Sequence, residues 1–153
     1  MKLQIWSILV FLICTNIERV LCYKGLFVMT FGTRSHLNFF SGIINSLARE
    51  GHEITLVTLY EAKFEETNVK QVIVKDSNSS KVFGNLFAST ALGIFFNILR
   101  YSPEMCINSL QTFLQREESK ENYDYVILSS VFSECYFGYV HDKQWLSVRF
   151  SLS

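Results

Sequence analysis

The stretch "GLFVMTFGTRSHLNFFSGIINSLAREGHEITLVT", Gly25 to Thr58, decides the fold. The apolar run Lys24–Gly32 predicts a strand that is buried on both faces of a parallel sheet. Apolar residues then recur at helical spacing, and Gly51 stands where a C-terminal cap is expected. The β-branched run His52–Tyr60 predicts a second strand. Strand, helix and strand in this order predict a βαβ unit.

The rest of the chain extends the same pattern. A third strand is predicted at Val69–Asp76, nearer the sheet edge, and a fourth at Tyr123–Ser130. A helix should open near Ser133, and residues 142–153 offer one further short strand at most. The predicted fold class is therefore α/β, a Rossmann-like doubly wound parallel sheet.

Residues 81–122 predict a long helical region that contains Pro103, the single proline. A proline inside a helix removes a backbone hydrogen bond, so Pro103 is predicted to separate two helices. The segment Val82–Leu99 is unusually apolar. We expect a buried helix that packs on the sheet; a peripheral membrane contact and a membrane span are the alternatives.

Length and composition indicate a folded, globular protein. The chain has 153 residues, which suits one domain or a piece of a larger protein. Its hydrophobic content of 49% is enough to bury a core, and disorder is not expected. The formal net charge is zero, so no basic footprint indicates a nucleic-acid partner.

The N-terminus has the pattern of a secretory signal peptide. Lys2 precedes an apolar run from Ile5 to Cys14, and cleavage is predicted after Cys22. The predicted organisation is therefore a signal peptide at 1–22 and a Rossmann-like domain at 23–153. Localisation in the secretory pathway follows, in the endoplasmic reticulum lumen or associated with its membrane.

Two features depend on that compartment. Cys106 and Cys135 remain after cleavage, and they are either a disulfide or two buried thiols. Asn78 opens an Asn-Ser-Ser sequon in a polar stretch that is expected to be a surface loop, which makes it a glycosylation site in a secreted protein.

The loop after the first strand carries the candidate chemistry. In open parallel sheets, ligands bind beyond the carboxyl ends of the strands. Gly32 permits a tight turn or close approach to a ligand, and Ser35 is a candidate helix cap. His36 is the candidate general base, with a capping or packing role as its alternative. Arg34 is either a binding residue or simply solvated.

These residues resemble the opening βαβ unit of the UDP-glycosyltransferases, the UDP-glucuronosyltransferase-like enzymes that are membrane-associated in animals and insects. The matching features are an apolar strand, a small-residue loop ending in Ser-His, an amphipathic helix, and "REGHEITLVT" leading into the second strand. The later segment "YDYVILSSVFSECYFGYVH" resembles the same family. The resemblance runs in order from Gly25 to His141.

The resemblance implies a GT-B fold, in which this chain is the N-terminal, acceptor-binding half. It implies transfer of a sugar from a UDP-sugar to a small lipophilic acceptor, with inversion and without a metal. His36 matches the base that deprotonates the acceptor, and the loop residues Gly32, Thr33, Arg34 and Ser35 match the acceptor side. UDP-sugar is a co-substrate that the other domain binds, so no cofactor is expected on this chain.

Two departures from the family pattern qualify that expectation. Ser129 occupies the position where the family usually places an acidic residue that orients the histidine, and Glu134 is the candidate substitute. No donor-binding domain or C-terminal membrane anchor is recognisable after His141. A truncated, inactive product that binds lipophilic ligands or pairs with a full-length enzyme is therefore the alternative function.

Overall fold

The computed structural model describes residues 22–30, 34–74, 90–129, 133–143 and 146–150. Within them, five strands form one parallel sheet in the order β3-β2-β1-β4-β5. The strands are β1 Lys24–Met29, β2 Glu53–Thr58, β3 Val69–Ile73, β4 Tyr125–Ser129 and β5 Leu146–Phe150. The helices are α1 Arg34–Arg49, α2 Ala91–Leu114 and α3 Cys135–Asp142, with a 3-10 turn at Glu117–Lys120.

Helices cover both faces of the sheet. Alternate residues of a strand point to opposite faces, so β1 contributes to two separate cores. On one face, Phe27 and Met29 pack with the buried residues of α1, including Phe40 and Ile44. The other core belongs to α2 and α3, and its buried members include Leu26, Val28, Cys106, Phe113, Tyr136 and Val140. The doubly wound arrangement predicted from the sequence is confirmed.

Helix α1 begins and ends for local reasons. Its buried residues Leu37, Phe40, Ile44 and Ala48 recur every three or four positions and form one apolar stripe. Its C-terminus is closed by Gly51, whose φ is +90°. Backbone hydrogen bonds from the Gly51 N–H to the Ala48 carbonyl and from the His52 N–H to the Leu47 carbonyl complete a Schellman motif.

The predicted strands are present with shorter bounds, and β3 lies at the sheet edge as expected. The predicted break at Pro103 is wrong, because α2 continues without interruption from Ala91 to Leu114. A proline costs a helix one hydrogen bond, and the burial of Met105, Cys106 and Phe113 in the following turns offsets that cost.

The expectation of a buried helix in the apolar segment before Pro103 is also wrong for the part that is described. Leu92, Phe95, Phe96 and Leu99 are all exposed, each by about half or more of its surface. The second half of α2, not the first, supplies the contacts to the sheet. No helix among the described residues is long and apolar enough to cross a membrane.

Several sequence predictions concern residues outside the described ranges. These are the signal peptide up to residue 21, the loop residues Gly32 and Thr33, and the glycosylation sequon at Asn78. They stay predictions, as does the domain boundary after Cys22.

Candidate functional site

The carboxyl ends of β1 and β4 lie side by side. The two strands pair in parallel register, from Gly25 opposite Tyr125 to Val28 opposite Leu128. The chain runs outward from β1 to β2 and β3 on one side, and from β4 to β5 on the other. This is the topological switch point of the sheet, where open α/β folds form their ligand crevice. The expectation that the two loops lie near each other is therefore supported by the strand order.

His36 lies at this edge of the sheet. It belongs to the first turn of α1, the helix that leaves the carboxyl end of β1, and its side chain is exposed. The other two histidines lie elsewhere. His52 precedes β2 at the amino edge, where its Nδ1 accepts a hydrogen bond of 3.0 Å from the Tyr23 backbone N–H. His141 is in the last turn of α3.

Arg34 and Ser35 directly precede His36 in the same helical turn. The Arg34 guanidinium lies 5.9 Å from the centre of the Tyr60 ring, which follows β2, and this is within the range of a cation–π contact for an exposed side chain. This contact ties the start of α1 to the carboxyl end of a second strand. Ser35 is inside the helix, because α1 begins at Arg34, and it is therefore not the capping residue.

Two buried hydroxyl groups at this edge were not singled out by the sequence. Thr30 directly follows β1 and Ser133 lies between β4 and α3, and each is 1% exposed. Neither Thr30 Oγ1 nor Ser133 Oγ has a hydrogen-bond partner among the described residues. Buried hydroxyls are normally paired, so a water or ligand would satisfy them. A single Thr or Ser at a strand end carries no sequence signal for this.

The two candidates for the acidic position have different surroundings. Ser129 is the last residue of β4, at the carboxyl edge of the sheet, and it is partly buried. Glu134 is exposed in the turn that opens α3, and its side chain does not cap the helix. Among the described residues no ion pair joins Glu134 to His36.

Glu134 instead borders a cavity between α2 and α3. The cavity has a volume of about 360 Å³. The described residues that line it are mainly apolar, and Glu134 is the one charged residue of that set. They are Leu99, Ser102, Pro103, Cys106, Ile107, Glu134 and Cys135. This cavity lies against the helices of the α2 and α3 face, whereas His36 belongs to the helix that covers the opposite face.

A disulfide joins Cys106 of α2 to Cys135 of α3, with 6.0 Å between the two Cα atoms. The sequence left open a disulfide or two buried thiols, and the structure has the disulfide. The bridge fixes the first residue of α3 against the middle of α2, and so it holds one wall of the cavity in place. Disulfides of this kind persist in oxidising compartments.

Buried tyrosines on the same face have structural roles. Burial raises the pKa of Tyr136 well above its ordinary value, and that of Tyr139 to about 12. The Tyr139 hydroxyl donates to the Ser119 carbonyl at 2.6 Å. Both phenols therefore stay protonated at neutral pH and serve packing. Within the described ranges, no group of three His, Cys, Asp or Glu residues is placed to hold a metal ion.

Comparison with known proteins places the fold. No protein-family model matches the chain, and no curated protein matches it in sequence. Among solved structures, the chain is similar to the crystal structure of CalG4, the calicheamicin glycosyltransferase, with a TM-score of 0.58 and 17% sequence identity. The match covers 87% of this chain and 34% of that one, so this chain spans about a third of its length.

This likeness establishes the fold and nothing finer. The chain has a Rossmann-like α/β fold that is shared with a glycosyltransferase of the GT-B class, and the predicted fold class is confirmed. At 17% identity, substrates and residue roles do not transfer.

Proposed function

We propose that this chain is the acceptor-binding part of a UDP-glycosyltransferase of the lumenal, UDP-glucuronosyltransferase-like type. The observation that carries the proposal is the position of His36, in the first turn of α1 at the switch point of a sheet shared with a glycosyltransferase. The Cys106–Cys135 disulfide supports an oxidising, lumenal location. The family resemblance supplies the reaction.

In this proposal His36 is the general base. Its imidazole takes the proton of an acceptor hydroxyl, and the acceptor oxygen attacks the anomeric carbon of the sugar as the bond to UDP breaks. The configuration at that carbon inverts. The UDP-sugar is held by a second domain, so the described residues provide the acceptor side alone. His36 is exposed, in the first turn of the helix that leaves the carboxyl end of β1.

The first test uses the longest natural product that contains this sequence. Transfer from radiolabelled UDP-glucose and UDP-glucuronic acid to 4-methylumbelliferone is measured for the parent, His36→Ala and His141→Ala. Loss of the base is expected to lower transfer by about 100-fold or more. His141→Ala, in the last turn of α3, is the matched control and should keep the parental rate. Parental transfer by His36→Ala would exclude His36 as the base.

A second candidate function is a non-catalytic binding protein of the same fold. The observation that favours it is the apolar surface on the first turns of α2, where Leu92 is 70% and Phe96 is 64% exposed. Such a surface is usually covered by a partner or a ligand. If the 153-residue chain is a stable secreted product that transfers no sugar, this candidate replaces the first.

A further inference from the structure

The cavity between α2 and α3 has the composition of a small-molecule site. Its volume of about 360 Å³ falls in the range of ligand pockets, which are mostly apolar with a few placed polar groups. Leu99 and Ile107 line it and are each about half exposed, so their apolar surface is available to an entering ligand. The disulfide joins two further lining residues, Cys106 and Cys135, and so holds α2 and α3 together at the cavity.

Glu134 brings a carboxylate to this cavity. No salt bridge involves Glu134 among the described residues, and its side chain makes no hydrogen bond to the start of α3. Glu65 is paired with Arg49 at 2.6 Å, whereas Glu61 and Glu104 are exposed and, like Glu134, form no salt bridge among the described residues. The cavity therefore combines apolar walls with one uncompensated negative charge.

We propose that this cavity binds a small cationic amphiphile, a molecule with an apolar body and a protonated amine. The apolar body would cover Leu99, Pro103 and Ile107, and the ammonium group would pair with Glu134. One carboxylate among apolar walls is too few ligands for a metal ion. A neutral ligand would gain no ion pair with Glu134, and an anionic ligand would be repelled by it. The inference is independent of the proposed function, because neither His36 nor a UDP-sugar takes part.

The test is displacement of a neutral fluorescent probe, N-phenyl-1-naphthylamine, from the 153-residue chain with its disulfide formed. Octylamine, octanol and octanoate are compared as competitors at neutral pH, below their micelle concentrations. We expect octylamine to displace the probe at about fivefold or more lower concentration than octanol, the effect of one partly exposed ion pair. Octanoate should be the weakest competitor.

Two variants separate the charge from the apolar wall. Glu134→Gln should bring octylamine and octanol to equal potency, whereas Glu61→Gln, an exposed glutamate in the loop after β2, should keep the preference. Ile107→Ser should weaken both competitors and leave their ratio unchanged. Because Glu134 and Ile107 are exposed or half-exposed, both variants are expected to fold, and circular dichroism checks this.

Three outcomes would overturn the proposal. The first is equal displacement by octylamine and octanol from the parent chain. The second is an amine preference that survives in Glu134→Gln. The third is no displacement of the bound probe from the parent chain by octylamine at any concentration tested. A failed sugar-transfer assay would leave all of these measurements unaffected.

Discussion

Gly25 shows how one residue fits two strands together. It lies directly opposite Tyr125 in the β1–β4 pair, and a Cβ at position 25 would overlap the far end of the Tyr125 ring. The glycine therefore leaves the space in which that ring lies across β1, edge-on to Phe27. Burial raises the pKa of the Tyr125 phenol, which agrees with a ring that is enclosed.

We expect Gly25→Ala to destabilise the protein. Alanine restricts the unfolded chain more than glycine does and would gain stability on that account, but the overlap with Tyr125 costs more. Overpacking of this kind costs about 1–3 kcal/mol in the free energy of unfolding, measured by urea denaturation followed by circular dichroism.

Tyr125→Leu in the same chain should reduce that cost, because the overlapping atoms are removed. The two substitutions would then be non-additive, as residues in contact are. Gly138→Ala is the matched control, since a Cβ there meets nothing within 4 Å. Equal stability of Gly25→Ala and the parent would show that the ring relocates freely.

Helix α1 shows how an element is ended. The Schellman motif at its C-terminus needs a left-handed residue, and Gly51 supplies one with a φ of +90°. That turn also orients the chain to enter β2, whose first residues follow directly. The side chain of Asn68 donates to the Ala48 and His52 carbonyls at 2.8 and 2.6 Å, so the turn is held from both ends.

Gly51→Ala is expected to lower the free energy of unfolding by about 1–2 kcal/mol, the cost of a left-handed conformation for a residue with a Cβ. Thermal or urea unfolding measures the difference. Gly51→Asn should cost less, because asparagine tolerates this conformation better.

Gly42→Ala in the same helix is the control for the glycine change itself. Its Cβ would meet nothing within 4 Å, and alanine is the better helix former, so a gain of up to about 1 kcal/mol is expected. If Gly51→Ala were as stable as Gly42→Ala, the helix would end without a left-handed residue.

An ionic cluster joins several elements at the amino edge of the whole molecule. Lys24 of β1 lies 2.5 Å from Glu121, which follows the 3-10 turn, and 3.7 Å from Glu53 of β2. Lys70 of β3 approaches Glu121 at 3.4 Å. The hydrogen bond from Lys24 holds the pKa of Glu121 below its ordinary value of 4.5. The hydrogen bond with Glu121 likewise raises the pKa of Lys24 above 10.5.

The sign of the pH dependence follows from the Glu121 shift. A carboxyl whose pKa is lower in the folded state stabilises the protein above pH 4.5, and that contribution is lost as the pH falls through the folded pKa. Glu121→Gln should therefore be less stable than the parent at pH 7, by on the order of 1 kcal/mol. The gap should narrow below pH 4.5, as urea midpoints across the acid range would record.

Glu117→Gln is the control for removing a carboxylate. Glu117 pairs with Lys120 at 2.8 Å, but its side chain is 83% exposed, so little change is expected at any pH. A Glu121→Gln deficit that stayed constant from pH 7 to pH 3 would contradict an ionic origin.

Much of the fold followed from local pattern. The strands, α1 and the Gly51 cap were predictable because burial on both faces, helical spacing and a glycine stop each leave a signal in neighbouring residues. The predicted break at Pro103 was wrong because the packing of Cys106 and Phe113 stabilises the helix beyond the proline. The prediction that the segment with Phe95 and Phe96 is buried was wrong because composition does not say which part of a helix packs on the sheet.

The sequence by itself determined the α/β class, the order of the elements and the candidacy of His36, since these depend on residues close together in the chain. The tertiary structure alone decided the strand order that sets β1 beside β4, the pairing of Cys106 with Cys135, and the position of Glu134 at a cavity beside α2. These depend on contacts between residues far apart in sequence. Such contacts depend on how complete faces of helices and strands pack together, so they cannot be read from any short stretch of the chain.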